Sequence, residues 1–296
     1  MLRIGVTLPN YGPLANAANL VRLAQHAERR GFDSIWVADH LAMPVETASI
    51  YPFDGRAAPT PAVLDGLVEF YEPLITLAYL AAATSRVRLG ISVYVMPYRN
   101  PVVTAKLVAT LDALSGGRVI FGAGVGWLRE EFTALAADAR VRGRATDEYL
   151  EVCRRLWRDD VASFSGAHYQ LPPVRSGPKP TQRPWPPIWI GGNSAAARTR
   201  AVALGDGWHL IDSDVDTIKA HAAQLNADLI AAGRTRGDFC LSVRRAVGSA
   251  ALPEMRRARD AYMAAGIDYL VVSPPRASSI DALAASLDGL GAALLD

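Results

Sequence analysis

Short apolar runs alternate along the chain with longer stretches in which apolar residues recur every third or fourth position. The runs are Arg3–Leu8, Ser34–Ala38, Val87–Val95, Arg118–Ala123, Ile188–Gly191, Gly207–Ile211, Phe239–Val247 and Tyr269–Ser273. Each is apolar on both faces or nearly so, as strands of a parallel sheet covered by helices must be. The helical stretches between them are Ala17–Arg30, Pro73–Thr84, Pro101–Leu114, Arg144–Trp157, Ser194–Leu204, Asp214–Ala232, Pro253–Ala265 and Ser278–Leu295. In the first of them Leu20, Leu23, Ala24 and Ala27 share one face. This repeated strand–helix order within 296 residues predicts a (β/α)8 barrel rather than an open doubly wound sheet.

Two connections are long, Leu41–Glu72 and the Pro- and Gly-rich Asp159–Pro187. Loops of such length in a compact domain usually wall a site. Neither has the composition of a linker, so residues 1–296 read as a single barrel domain.

In such a barrel chemistry sits beyond the carboxyl ends of the strands. Those ends read Pro9-Asn-Tyr11, Asp39-His40, Met96-Pro-Tyr-Arg-Asn100, Gly124-Val-Gly-Trp127, Gly191-Gly-Asn-Ser194, Asp212-Ser213, Gly248-Ser249 and Ser273-Pro-Pro-Arg276. Gly191-Gly192 before a helix capped by Ser194 exposes backbone N–H groups at a positive dipole end, which suits a phosphate or an ordinary strand–helix turn. Asp39-His40 can move a proton or cap a loop. Gly122-Ala-Gly-Val-Gly126 lacks the third glycine and the acidic partner of a dinucleotide fingerprint. Glu130-Glu131 falls past a strand, inside a helix, and reads as a solvated face.

Composition narrows the field. With 31 basic and 29 acidic residues the net charge is +2, and the basic residues are scattered rather than clustered for nucleic acid. No apolar run reaches the length of a membrane span, and the first residues read as a strand rather than a signal peptide. Cys153 and Cys240 sit in apolar patterns, as reduced core thiols of a cytoplasmic protein. The histidines are dispersed and offer no metal-ligand spacing, and no Gly-x-Ser-x-Gly elbow occurs.

Read together, Asp33-Ser-Ile-Trp-Val-Ala-Asp-His40, Thr84-Ser-Arg-Val-Arg-Leu-Gly-Ile-Ser-Val93, Tyr98-Arg-Asn-Pro101, Thr110-Leu-Asp-Ala-Leu-Ser-Gly-Gly-Arg118, Phe121-Gly-Ala-Gly-Val-Gly-Trp127 and Ile188-Trp-Ile-Gly-Gly-Asn-Ser194 resemble the luciferase-like monooxygenase family. Leu8-Pro-Asn-Tyr-Gly12 and Gly126-Trp-Leu-Arg-Glu-Glu-Phe132 resemble its actinobacterial branch that uses the deazaflavin coenzyme F420. The resemblance implies a flavin or deazaflavin across the barrel mouth and a homodimer. It implies phosphate on Gly191, Gly192, Asn193 and Ser194, and a non-prolyl cis bond at Ser92–Val93 behind the ring. It places Asp39 at the ring's pyrimidine edge and His40, the catalytic candidate, near its reactive position. Asn100, Gly124, Val125 and Gly126 join the cofactor contacts.

Trp127 stands where the family's sugar-phosphate dehydrogenases carry a glutamate, which argues against glucose-6-phosphate oxidation. With Tyr51 and Trp185 it is expected to wall a substrate pocket, among further aromatics Trp36, Phe53, Tyr94 and Tyr98. Deazaflavin carries a polyanionic tail, for which Arg99, Lys179, Arg183 and Arg198 are the expected cations. The expected function is hydride exchange between F420 and a small organic substrate, with no nucleic-acid or membrane partner. An FMN-dependent monooxygenase and a non-catalytic deazaflavin-binding protein are the alternatives.

Overall fold

In a computed structural model that describes residues 2–53, 59, 64, 67–248 and 254–296, eight parallel strands close on themselves. The chain begins β1 (Arg3–Thr7), α1 (Ala17–Arg30), β2 (Ser34–Val37), α2 (Pro73–Ala83), β3 (Arg88–Ile91) with its short continuation β4 (Tyr94–Val95), and α3 (Pro101–Ser115). It continues β5 (Val119–Gly124), α4 (Arg129–Ala134), α5 (Arg142–Arg158), the hairpin β6 (Ala162–Ser165) and β7 (Gln170–Val174), then β8 (Ile188–Gly191) and α6 (Ala195–Leu204). It closes with β9 (Gly207–Ile211), α7 (Val215–Ala231), β10 (Cys240–Ala246), α8 (Met255–Ala264), β11 (Tyr269–Ser273) and α9 (Ile280–Leu294). The ring runs β1, β2, β3, β5, β8, β9, β10, β11 and back to β1, every pair parallel. This is the expected (β/α)8 barrel.

Local chemistry fixes the element ends. Asn16, Asn100, Ser194, Asp214 and Ser279 each accept a backbone N–H of the first turn that follows, and Gly31 and Gly116 end α1 and α3 in the left-handed region. The barrel interior is filled by rings. Trp36 stacks on His209 at 5.3 Å and on Trp189 at 5.4 Å, and Tyr269 meets Trp189 edge-on at 5.0 Å. Small neighbours make this layer fit: a Cβ on Gly5 or Gly90 would overlap the Trp36 indole. His209, fully buried, is held between the hydroxyls of Ser92 (2.9 Å) and Ser242 (2.8 Å). Burial, with the nearby Arg244 charge, pushes its imidazole down to about 3, so it is neutral at ordinary pH.

Three features depart from the sequence pattern. The long third strand is interrupted between β3 and β4, where the Ser92–Val93 peptide is cis, as the family resemblance implied. The connection Asp159–Pro187 contains the antiparallel β6–β7 hairpin, which Pro172 and Pro173 disguised. Of the expected helix Pro253–Ala265, α8 is described from Met255; Pro253 and the strand-end residue Ser249 lie outside the described residues, as does part of Leu41–Glu72.

Candidate active site

The carboxyl ends of the strands open into a cavity of about 1080 Å³. It brings together Asp39, His40, Tyr51, Ser92, Val93, Gly124, Val125, Gly126, Trp127, Gly191, Gly192, Asn193 and Ser194. Of the expected pocket aromatics, Trp36, Tyr94 and Tyr98 are buried and do not line it, and two further expected site residues, Trp185 and Asn100, are placed elsewhere. Trp185 precedes β8, so it lies at the amino end of the barrel, where its Nε1 donates to Asp206 (3.0 Å) and Arg154 stacks on its ring. Asn100 caps α3, accepting from Val102 N–H at 2.9 Å, and does not line the cavity.

The floor is built around Val93. Its methyl groups occupy the space that a Cβ on Gly124 or Gly191 would fill, so those glycines serve a close approach between strands and leave a smooth surface above. On one side of it lies the β8–α6 turn. Gly192 sits at φ +117°, a conformation L side chains rarely adopt. Asn193 clamps the turn to the end of β9, donating to Ile211 O (2.7 Å) and accepting from Ile211 N (2.9 Å). Ser194 caps α6 through Ala197 N–H, and Ser194, Ala196 and Ala197 of that helix start line the cavity. This is a cradle that fits a phosphate.

Cations flank the cradle, but not the expected ones. Arg99 forks onto Asp39 (2.8 Å twice) and reaches Glu72 (3.1 Å). Lys179 is bound to the carbonyls of Leu156 and Asp159, Arg198 pairs with Asp228 (2.6 Å), and Arg183 precedes β8 at the far end. None of the four lines the cavity; Arg140, Arg142 and Arg200 do. Arg200 pairs with Asp147 and donates to Gly143 O. Arg142 donates to Ala139 O and pairs with no described carboxylate. The missed signal was topological: the amino ends of α5 and α6 both point to the mouth.

Asp39 also has a structural task. Its carboxylate is fully buried and accepts the Arg99 fork and the N–H of Val95 (2.8 Å), so it pins β4 to the end of β2. Its neighbour His40 remains at the cavity wall. His40 Nδ1 meets Glu131 Oε2 at 2.7 Å, and Glu131, fully buried, also accepts from Tyr98 OH (2.9 Å) and from the N–H groups of Leu41 and Ala42. Burial pushes the Glu131 carboxyl up, but the bonds from His40 and the backbone outweigh it and hold it below the usual range. An ionised carboxylate accepts and cannot donate, so a neutral His40 carries its proton on Nδ1 and keeps a lone pair on Nε2. The expectation of a solvated Glu131 is thus corrected: α4 turns Glu131 inward and Glu130 toward the loop, where it binds Ser49 and Ala48.

An aromatic wall completes the cavity: Trp127 meets His40 edge-on at 6.1 Å and Tyr51 at 5.3 Å, and Tyr51 meets Phe53 at 5.3 Å. Among the described residues no group of three His, Cys, Asp or Glu could hold a metal, and no helix is long and apolar enough to cross a membrane.

A closed parallel barrel with a glycine turn at a helix start and an oriented histidine at its mouth defines the class of (β/α)8 barrels with a cavity beyond the strand ends. Residues 2–286 match the profile of the luciferase-like monooxygenase family, and the chain belongs to it. It is 34% identical over 217 residues to an uncharacterized protein of Mycobacterium tuberculosis, covering 73% of each chain. It is 29% identical to the FMNH(2)-dependent dimethylsulfone monooxygenase of Pseudomonas putida, over 72% of this chain and 53% of that one. Among solved structures, monooxygenase RslO1 from Streptomyces bottropensis superposes with TM-score 0.80 at 21% identity, covering 99% of both chains. An F420-dependent secondary alcohol dehydrogenase in complex with an F420-acetone adduct superposes with TM-score 0.79 at 16% identity, over 99% of this chain and 98% of that one. An F420-dependent enzyme thus shares the fold, and an FMNH(2)-dependent monooxygenase is among the sequence relatives.

Proposed function

We propose that this protein is a cytoplasmic F420-dependent oxidoreductase acting on a small organic substrate, folded as a single domain and working as a homodimer. The observation that carries the cofactor choice is the set of arginines beyond the phosphate cradle. FMN ends at its phosphate, whereas F420 continues into a chain of carboxylates that needs cations at the rim. Arg142 and Arg200 line the same cavity as Ser194; Arg142, which pairs with no described carboxylate, is the cation open to such a chain, and Arg200, already held by Asp147, adds a second positive charge.

When bound, a deazaflavin supplies hydride chemistry at carbon, whereas a flavin also activates oxygen. The chain's own residues do the rest. The first turn of α6 receives the phosphate. Val93 and the strand glycines present a surface without projecting polar groups. Glu131 orients His40, whose Nε2 is placed to accept a proton or a hydrogen bond at the substrate. The aromatic wall excludes water from that position.

The FMN-dependent reading is favoured by the dimethylsulfone monooxygenase relative. Fluorescence-quenching titration separates the two. F420 is expected to bind at least tenfold tighter than FMN, a difference of about 1.4 kcal/mol. Arg142→Ala and Arg200→Ala should weaken F420 while leaving FMN unchanged. Equal or tighter binding of FMN by the wild type would sink the F420 assignment. Tight F420 binding without turnover of any alcohol, aldehyde or enone tested would favour the non-catalytic carrier.

A further inference from the structure

Arg244 has no part in the reading above. It lies on β10, two residues beyond Ser242, whose hydroxyl faces His209 inside the barrel. The two-residue period of a strand turns Arg244 to the same side, one layer higher, and it lines the cavity. Its side chain is 19% exposed. The Nε atom is buried without a hydrogen-bond partner. Nη2 donates to Tyr51 OH at 3.1 Å, and the nearest described carboxylate oxygen, on Asp212, stands 3.7 Å away. Asp212 is itself engaged through its other oxygen by Ala246 N–H at 2.7 Å.

Other inward arginines of this chain are served far better. Arg118 donates to Ser115 O, Thr84 Oγ1, Val87 O and Ala81 O. Arg99 makes three bonds to two carboxylates. Arg154 also has an unbonded Nε, but it is stacked on Trp185 outside the cavity. A guanidinium presents five donors, and leaving them unmatched away from water is costly. Beneath Arg244 the neutral His209 offers no negative charge, and Asp212 at 3.7 Å is the described carboxylate nearest to the guanidinium.

We propose that Arg244 is the receptor for an anionic group on the substrate, and that the substrate is a small aromatic or otherwise flat carboxylic acid. The proposal rests on the reading that the cavity is the active site. The guanidinium and the Tyr51 hydroxyl form one end of a wall that continues through Trp127 to His40. A carboxylate on Arg244 would therefore lay a flat body along these rings with its far end toward His40. A fork of N–H groups selects a carboxylate over an amide or an alcohol of the same shape.

The test uses benzoate and benzamide as probes in calorimetric titrations, on the protein alone and on protein saturated with the cofactor that it binds. Benzoate is expected to bind about tenfold tighter than benzamide. Arg244→Gln should abolish that preference with cofactor affinity unchanged, and Arg244→Lys should keep part of it. Tyr51→Phe should weaken benzoate a few-fold, which serves if the Arg244 variants do not fold. Equal binding of the two probes by the wild type overturns the proposal. So does an Arg244→Gln protein that keeps the preference, or one that loses the cofactor, since Arg244 would then belong to the cofactor site. A wild type that binds neither F420 nor FMN counts against the proposed function; the probe comparison on the protein alone still decides the role of Arg244.

Discussion

Glu130 and Glu131 are adjacent and chemically identical, yet one caps a loop and the other is fully buried beneath His40. Helix α4 has only six residues, too few for a periodic pattern to show which face turns inward. His40 was legible because it ends a strand of a recognisable motif; its orienting partner lies 91 positions away and only the fold brings them together. Glu131→Gln replaces an acceptor of four hydrogen bonds by a group with one acceptor oxygen and an N–H₂ that faces donors. Turnover is expected to fall at least tenfold, with F420 affinity retained. The His40 ¹⁵N shifts should lose the Nδ1–H signature, and the loss should not multiply with that of His40→Asn. The depressed carboxyl also sets a sign. Its contribution to stability is present above the unfolded-state pKa and is lost as pH falls through the lowered folded value, a loss the glutamine variant should not show in urea melts at acid pH. Unchanged ¹⁵N shifts in the variant would remove the positioning role.

At the scale of elements, strands β8, β9 and β11 coincide with the apolar runs, because each is buried on both faces and bounded by turn residues. The β6–β7 hairpin was hidden by its own composition, since its prolines occupy an exposed two-stranded ribbon that tolerates them. The β8–α6 turn was legible as a strand–helix junction, but the reason for each glycine was not. Gly191 yields space to Val93, from the break between β3 and β4, whereas Gly192 is favoured by its φ of +117°. Gly192→Val should therefore distort the turn itself. We expect at least a tenfold loss of F420 affinity and a stability loss of about 1–3 kcal/mol, read from quenching titrations and urea melts. Normal cofactor binding by this variant would place the phosphate elsewhere.

For the whole molecule, alternation of pattern sufficed to expect the barrel, because closure needs only eight strand–helix units in order. Surfaces are less legible, since no periodic rule says which exposed apolar face is covered. Helix α2 carries no charged residue, and Ile75 and Tyr79, one turn apart, are 66% and 53% exposed, with Tyr71 just before them. Val103 and Leu114 are exposed on α3, which packs beside α2. An apolar face of this kind suits an interface better than a solvated helix, and we propose a second copy of the chain as its occupant. The wild type is expected to sediment as a dimer at micromolar concentration, and Ile75→Glu with Tyr79→Glu as a folded monomer. A monomeric wild type would refute the interface.

Among the described residues, the loop that carries Tyr51 and Phe53 is tied to the barrel through side chains, Glu130 to Ser49 and Ala48, Ser49 to Arg129 N–H, and Arg244 to Tyr51. The β8–α6 turn, by contrast, is made from strand ends and a helix start that the closed barrel itself holds. The consequence is evolutionary. Exchange of this loop would reshape the chamber above the floor and leave that turn undisturbed, so the two ends of one cavity are free to diverge at different speeds.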